Sequence, residues 1–328
     1  MASSQSIAAP TKFESIDEIL RLDNFRPNNP LNLENYEELI GFYTVSPKVC
    51  CCVEKSGGTL CNREHGKGWV AKKKDGTLTI LGGDCANDKF GADSKIFQDI
   101  TLARNVIRKL DRQSKLVAHL KMREQREKSL RESKQIIAEI QARINAKCAG
   151  IGSYVTARLH DMAKRGRTDV IVQGVRYRTY VEDGQTKRER STVRHSLGNL
   201  KGLELLLAET ISSPLIAINN LERAFVAASN LPKTPKKGQI DALVGQLDQF
   251  DAIAQHVDRL LKLETQFTAN PCMLYCFLVG DKSERTKLAR NAMHVAGILG
   301  GRDQAKQWLS EQETKLAEHL GVDALEII

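Results

Sequence analysis

Cys50-Cys51-Cys52, Cys61, His65 and Cys85 bring five of the chain's eight cysteines together with a histidine in one short stretch. Thiols at this density pair as disulfides, bury as small hydrophobes or converge on a metal, and each choice dictates a different local fold. With 328 residues, the chain can bury a sizeable core over about two domains, so a disulfide-stapled miniature fold is not needed. The surrounding Gly57-Gly58 and Lys72-Lys73-Lys74 offer little apolar core for buried thiols. Metal ligation in a reducing compartment is therefore the expectation. Counting from Cys52, the spacing C-x8-C-x3-H-x19-C supplies four soft or borderline ligands, Cys52, Cys61, His65 and Cys85, a set that suits tetrahedral Zn²⁺. Cys50 can replace Cys52, and spacing alone leaves open which of Cys50, Cys51 and Cys52 bind. Cys148 stands apart, and Cys272 and Cys276 sit in the apolar run CMLYCFLVG, where packing is the expected role.

The pattern around the ligands is compact. Gly57-Gly58 reads as a turn, and Trp69 to Lys73 and Thr77 to Leu81 read as strands joined at Lys74-Asp75-Gly76. Asp84 is placed to cap a short helix that carries Cys85. This order of loop, hairpin and helix, with a late cysteine at the helix start, resembles a treble-clef zinc finger over residues 50–91. Treble clefs place their ligands as C-x2-C pairs, and the departure from that pattern makes His65 the expected fourth ligand. A unit this small cannot bury enough surface alone, so a structural zinc would contribute folding free energy. Glu64-His65 and Asn87 also resemble the acid-histidine and helix residues of ββα-metal (HNH-like) nucleases. That second resemblance implies a catalytic divalent ion and a general base at His65, a role His65 cannot combine with ligation of a structural zinc.

The chain carries +9 overall, but the distribution is uneven. Residues 104–147 hold +8 and residues 158–201 hold +6, leaving −5 elsewhere. Residues 1–12 read as a small, polar, disordered start. Ser15 caps one expected helix through Ile16, Ile19 and Leu20, and Asn32 a second through Tyr36, Leu39 and Ile40. From Ser94 to Lys147 there is no Pro or Gly, and Leu130, Ile137 and Ile144 recur at seven, a heptad-like coiled-coil seam that weakens at KMREQREK. Ala149 to Gly152 ends that helix, and Ser153 opens a short one. Asp169 to His195 reads as a second hairpin turning at Glu182-Asp183-Gly184-Gln185, with basic residues interleaved with Tyr177 and Tyr180. Arg176, Arg178, Lys187, Arg188, Arg190 and Arg194 are its candidate phosphate contacts, joined by Lys72, Lys73 and Lys74 on the finger. His195 has no evident acidic partner. Beyond Leu200 the patterning predicts helices over 203–211, 213–229, 238–267, 283–299 and 302–320.

The predicted fold is mainly α, with a small zinc-stabilised β-hairpin module, a second β-hairpin, a long helix and a C-terminal helical bundle. Predicted segments are 1–49, 50–92, 93–150, 151–202 and 203–328. No P-loop, G-x-S-x-G, H-E-x-x-H or Rossmann glycine pattern occurs, which shifts weight from enzyme to binding protein. The expected function is a zinc-binding, non-enzymatic nucleic-acid-binding protein of the cytoplasm, without a signal peptide or membrane span. The alternatives are a helical adaptor that uses its helices for a protein partner or a second copy of itself, and the HNH-like nuclease.

Overall fold

The computed structural model describes residues 10–236 and 238–328, excluding the side chain of Asn87. The chain divides into two compact units, one ending at Ala118 and one spanning His119–Ile328.

The first unit is built on a four-stranded sheet of order β1-β2-β3-β4, formed by β1 (Thr11–Phe13), β2 (Tyr36–Cys50), β3 (Glu64–Lys73) and β4 (Leu78–Gly82). Helix α1 (Ile16–Leu20) follows β1, with Ser15 capping it as expected by accepting the N–H of Glu18. Residues 1–9 of the expected disordered start lie outside the described residues, while Thr11–Phe13 pairs in parallel with Gly41–Tyr43. The second expected helix is a correction: Tyr36 onward is β2. The i, i+3, i+4 spacing of Tyr36, Leu39 and Ile40 imitates a helix, but the run beyond it, FYTV, is aromatic and β-branched and fits a pleated surface. Asn32 still acts locally, its side chain accepting the backbone N–H groups of Glu34 and Asn35 to close a turn.

Strands β3 and β4 pair antiparallel, Trp69 opposite Leu81 and Ala71 opposite Thr79, around the predicted Lys74-Asp75-Gly76 turn. The sheet is covered on both faces, which is why β4 is buried along its whole length. One face packs Tyr36, Cys51, Trp69, Ala71 and Leu81 with α2 (Gly83–Lys89) and the start of α3 (Lys95–Lys121), through Cys85, Ala86, Ile96 and Ile100. The opposite face packs Tyr43, Cys52, Val70 and Ile80 with Phe13 and Ile19. Along α3 the expected seam divides: Ile96, Ile100 and Ala103 are buried, whereas Leu110 and Val117 are exposed.

The second unit contains α4 (Arg123–Ile151), which begins after a break at Met122, inside the stretch where the polar run weakened the seam. Its Leu130, Ile137, Ile140 and Ile144 are buried. Then come α5 (Ser153–Lys164), β5 (Asp169–Glu182) and β6 (Gln185–Asn199). A 3₁₀ turn at Leu203–Leu206 replaces most of the helix expected there, followed by α6 (Ala208–Ser229). The helix expected over 238–267 is split into α7 (Gln239–Leu247) and α8 (Phe250–Thr268). The short α9 (Cys272–Tyr275), α10 (Lys282–Val295), α11 (Arg302–Leu320) and strand β7 (Ala324–Ile327) complete the chain.

Helices α4, α6 and α8 pack on one another. Lys134 pairs with Glu222 at 2.7 Å between α4 and α6, and Arg143 forms a bidentate pair with Glu264 between α4 and α8. The strands form a sheet of order β6-β5-β7, with Val172–Val175 of β5 opposite Ala324–Ile327. No described helix is long and apolar enough to cross a membrane.

Candidate metal centre and nucleic-acid interface

Residues Cys51–Arg63 leave β2 and return into β3 as a closed loop. Cys51 N–H donates to Arg63 O at 3.0 Å, Cys61 N–H to Val53 O at 2.7 Å, and Lys55 N–H to Thr59 O at 2.7 Å across the predicted Gly57-Gly58 turn. Both glycines take left-handed φ, +96° and +78°, at little steric cost. Cys51 and Cys61 thus face each other on the two arms of the loop. The hairpin β3–β4 delivers Cys85 into the first turn of α2, beside them.

The Sγ atoms of Cys51, Cys61 and Cys85 lie within 4.8 Å of one another, with Cys61 and Cys85 at 3.5 Å, and none is in a disulfide. Thiolates bound at about 2.3 Å to one tetrahedral ion stand roughly 3.8 Å apart, so the three sulfurs are spaced to hold a metal. Among the described residues no other His, Cys, Asp or Glu joins all three within that radius. Burial pushes the Cys85 thiol up to about 12, reinforced by the neighbouring Cys61 and Cys51, and burial likewise raises Cys51. Cys61 goes the other way. Desolvation opposes its ionisation, but the Arg63 N–H, the adjacent thiols and Lys55 hold it below the usual thiol value. Sharing among three thiols stabilises one thiolate at the expense of its neighbours, and a cation would favour ionisation of all three.

Of the four ligands expected from spacing, the structure brings together Cys61 and Cys85 but substitutes Cys51 for Cys52. Consecutive residues of an extended chain point to opposite sides. Cys51 faces the α2 side of the sheet, while Cys52 is buried in the opposite core beside Tyr43, Val70 and Ile80. Cys50 is exposed, paired in register with Glu64.

His65 lies outside the trio. Its Nδ1 is 3.1 Å from Tyr43 Oη, the two rings stack at 5.8 Å, and its buried Nε2 has no hydrogen-bond partner among the described residues. Burial lowers its pKa against the pull of Asp84. His65 lines a 350 Å³ pocket with Glu64, Asp84 and Cys85, and the side chain of Asn87, third member of the nuclease-like set, lies outside the described residues.

The second hairpin runs in unbroken antiparallel register from Ile171 opposite Ser196 to Glu182 opposite Gln185. Asp183 and Gly184 at its tip take φ of +52° and +72°, the two left-handed residues of a type I′ turn. β7 accompanies β5 only as far as Val175, so Arg176–Glu182 and its partner strand form a bare two-stranded ribbon, exposed throughout, about 24 Å long at roughly 3.4 Å per residue.

No protein-family model, curated protein or solved structure matches the chain.

The site therefore has to be read from its own chemistry. Register places Arg176, Arg178 and Lys187 on one face of the ribbon with Tyr180, and Arg188, Arg190 and Arg194 on the other with Tyr177. Arg188 stacks over Tyr177 at 3.7 Å, Arg190 pairs with Glu326 at 2.5 Å, Lys187 with Glu182 at 2.8 Å, and Arg176 donates to Gly321 O at 2.9 Å. Arg178 and Arg194 make no ion pair among the described residues. On the finger, Lys72 pairs with Glu37 and Glu38, and Lys73 is buried with its ammonium donating to Asn29 Oδ1 at 2.7 Å. Both charges are committed internally, and only Lys74 of that set stays exposed. His195 is half-buried beside Gly174, its Nε2 unpartnered.

Proposed function

We propose that the chain is a nucleic-acid-binding protein that grips phosphates with the β5–β6 ribbon, and that Cys51, Cys61 and Cys85 hold a structural zinc in the first unit. The ribbon itself carries the reading. A strand pair freed from its sheet on both edges, exposed on both faces and holding five cations against three acids between Arg176 and Ser191, has no packing task of its own. Guanidiniums suit phosphate oxygens because their fixed forks match them bidentately, and the tyrosines offer faces for bases. A two-stranded ribbon also has the width of a B-form major groove.

For the metal, the support is the convergence of three thiols from two loop arms and a helix, in the order of loop, hairpin and helix that treble-clef fingers use. When bound, zinc supplies a cross-link that ties Cys51–Arg63 to α2. The residues themselves position the thiols, through the Gly57-Gly58 turn and the N–H of Gly82, which donates to Cys51 Sγ at 3.5 Å.

The test is retention on duplex DNA, duplex RNA and single strands across a salt series. Phosphate contacts give a log–log salt slope of about −0.9 per contact on B-form DNA. Arg178→Glu combined with Arg188→Glu is expected to abolish retention and flatten that slope. Retention equal to that of the unchanged chain removes the ribbon from the account.

A further inference from the structure

At the foot of the ribbon, α5, the first residues of β5 and the C-terminal half of β6 line a pocket of 380 Å³. Arg158, Asp161 and Met162 line it from one face of α5, and Arg165 from the residue that caps the helix C-terminus. Arg167 enters from the turn before β5 and Arg194 from β6, while Ile171 and Leu278 contribute apolar wall. The cations do not cancel. Asp161 is taken by Arg165 at 3.0 Å, Arg158 donates to the Ile328 backbone oxygen at 3.4 Å, and Asp169 is the only other acidic side chain on the wall. With the α-carboxylate of Ile328 counted beside Asp161 and Asp169, four guanidiniums against three carboxylates still leave an excess of positive charge in a concavity, with Arg167 and Arg194 making no ion pair among the described residues.

We propose that this pocket binds a single nucleotide, its phosphate held by Arg167 and Arg194 and its base laid against the wall of Ile171 and Leu278. The volume falls in the range of about 300 to 1,000 Å³ common for small-molecule sites, too small for a duplex. The mixture of forked cations and apolar wall matches a ligand that is anionic at one end and flat and apolar at the other. The nucleotide comes either free or as the phosphorylated end of a strand lying on the ribbon, and only the second source rests on the nucleic-acid reading.

Calorimetric titration of the full chain with adenosine monophosphate tests the site. One binding site is expected, at least tenfold weaker in Arg167→Ala and in Arg194→Ala, intermediate in Arg167→Lys, unchanged in Arg178→Glu, and absent with adenosine. Circular dichroism confirms that each variant folds. Absence of binding at millimolar nucleotide, or full affinity in both alanine variants, overturns the proposal. Oligonucleotides bearing 5′-phosphate or 5′-hydroxyl separate the sources. A preference for the phosphate that disappears in Arg167→Ala identifies a strand end, while equal affinities alongside nucleotide binding identify the free form. Should Arg178→Glu combined with Arg188→Glu leave oligonucleotide retention intact while the nucleotide still binds, the ribbon reading fails and the pocket stands.

Discussion

Cys51 and Cys52 are neighbours with opposite fates, and substitution should separate them cleanly. Serine at Cys51, Cys61 or Cys85 removes one of three converging sulfurs and is expected to abolish the proposed zinc binding, measured as metal per chain by mass spectrometry. Cys52→Ser and His65→Ala are expected to keep it, because neither side chain belongs to the trio. Retention in Cys61→Ser, or loss in His65→Ala, would contradict that assignment. Close packing nearby allows a second prediction. A Cβ on Gly68 would lie 2.2 Å from Leu81 O and 2.4 Å from Tyr43 Oη, contacts that force strand or ring to move. Gly68→Ala is expected to destabilise the first unit by about 2–4 kcal/mol, read from denaturant unfolding.

At the scale of elements, β7 bears on both stability and the ribbon. It covers the edge of β5 where Val172 and Val175 are fully buried, and its Glu326 holds Arg190. Deleting residues 324–328 should lower the melting temperature of the second unit by roughly 4–8 °C, the shift expected for a loss of about 2 kcal/mol in a unit of this size. How far such elements could be read beforehand depended on local chemistry. The Asp183-Gly184 and Lys74-Asp75-Gly76 turns, the Ser15 cap and the seven-residue recurrence in α4 announce themselves because turn, cap and period are local properties. β2 and β7 did not, since the spacing of Tyr36, Leu39 and Ile40 has the helical period and four residues of ALEI are too few to show one. The metal site was legible in kind but not in membership, because spacing counts residues and cannot say to which side of an extended strand each one points. The pocket at the ribbon's foot joins α5, β5, β6 and the segment after α9, a juxtaposition that no local pattern encodes.

Across the whole molecule, the candidate metal site and the cationic ribbon fall in different units, and the proposed zinc therefore predicts a selective response to chelation. Zinc in a small site contributes its binding free energy to folding, and the three thiols come from the two arms of the loop after β2 and from α2, all in the first unit. The second unit has its own core on α4, α6 and α8 and draws no candidate ligand from the trio. Removing metal from the full chain with a strong chelator should therefore accelerate hydrogen exchange in the peptides covering residues 50–90. Peptides of α4, α6 and α8 should keep their protection, and the ribbon should keep its salt-dependent retention of nucleic acid. Loss of protection throughout residues 119–328 would show that the second unit depends on the metal-bound first. Unchanged exchange over residues 50–90 would show that the thiols carry no structural metal.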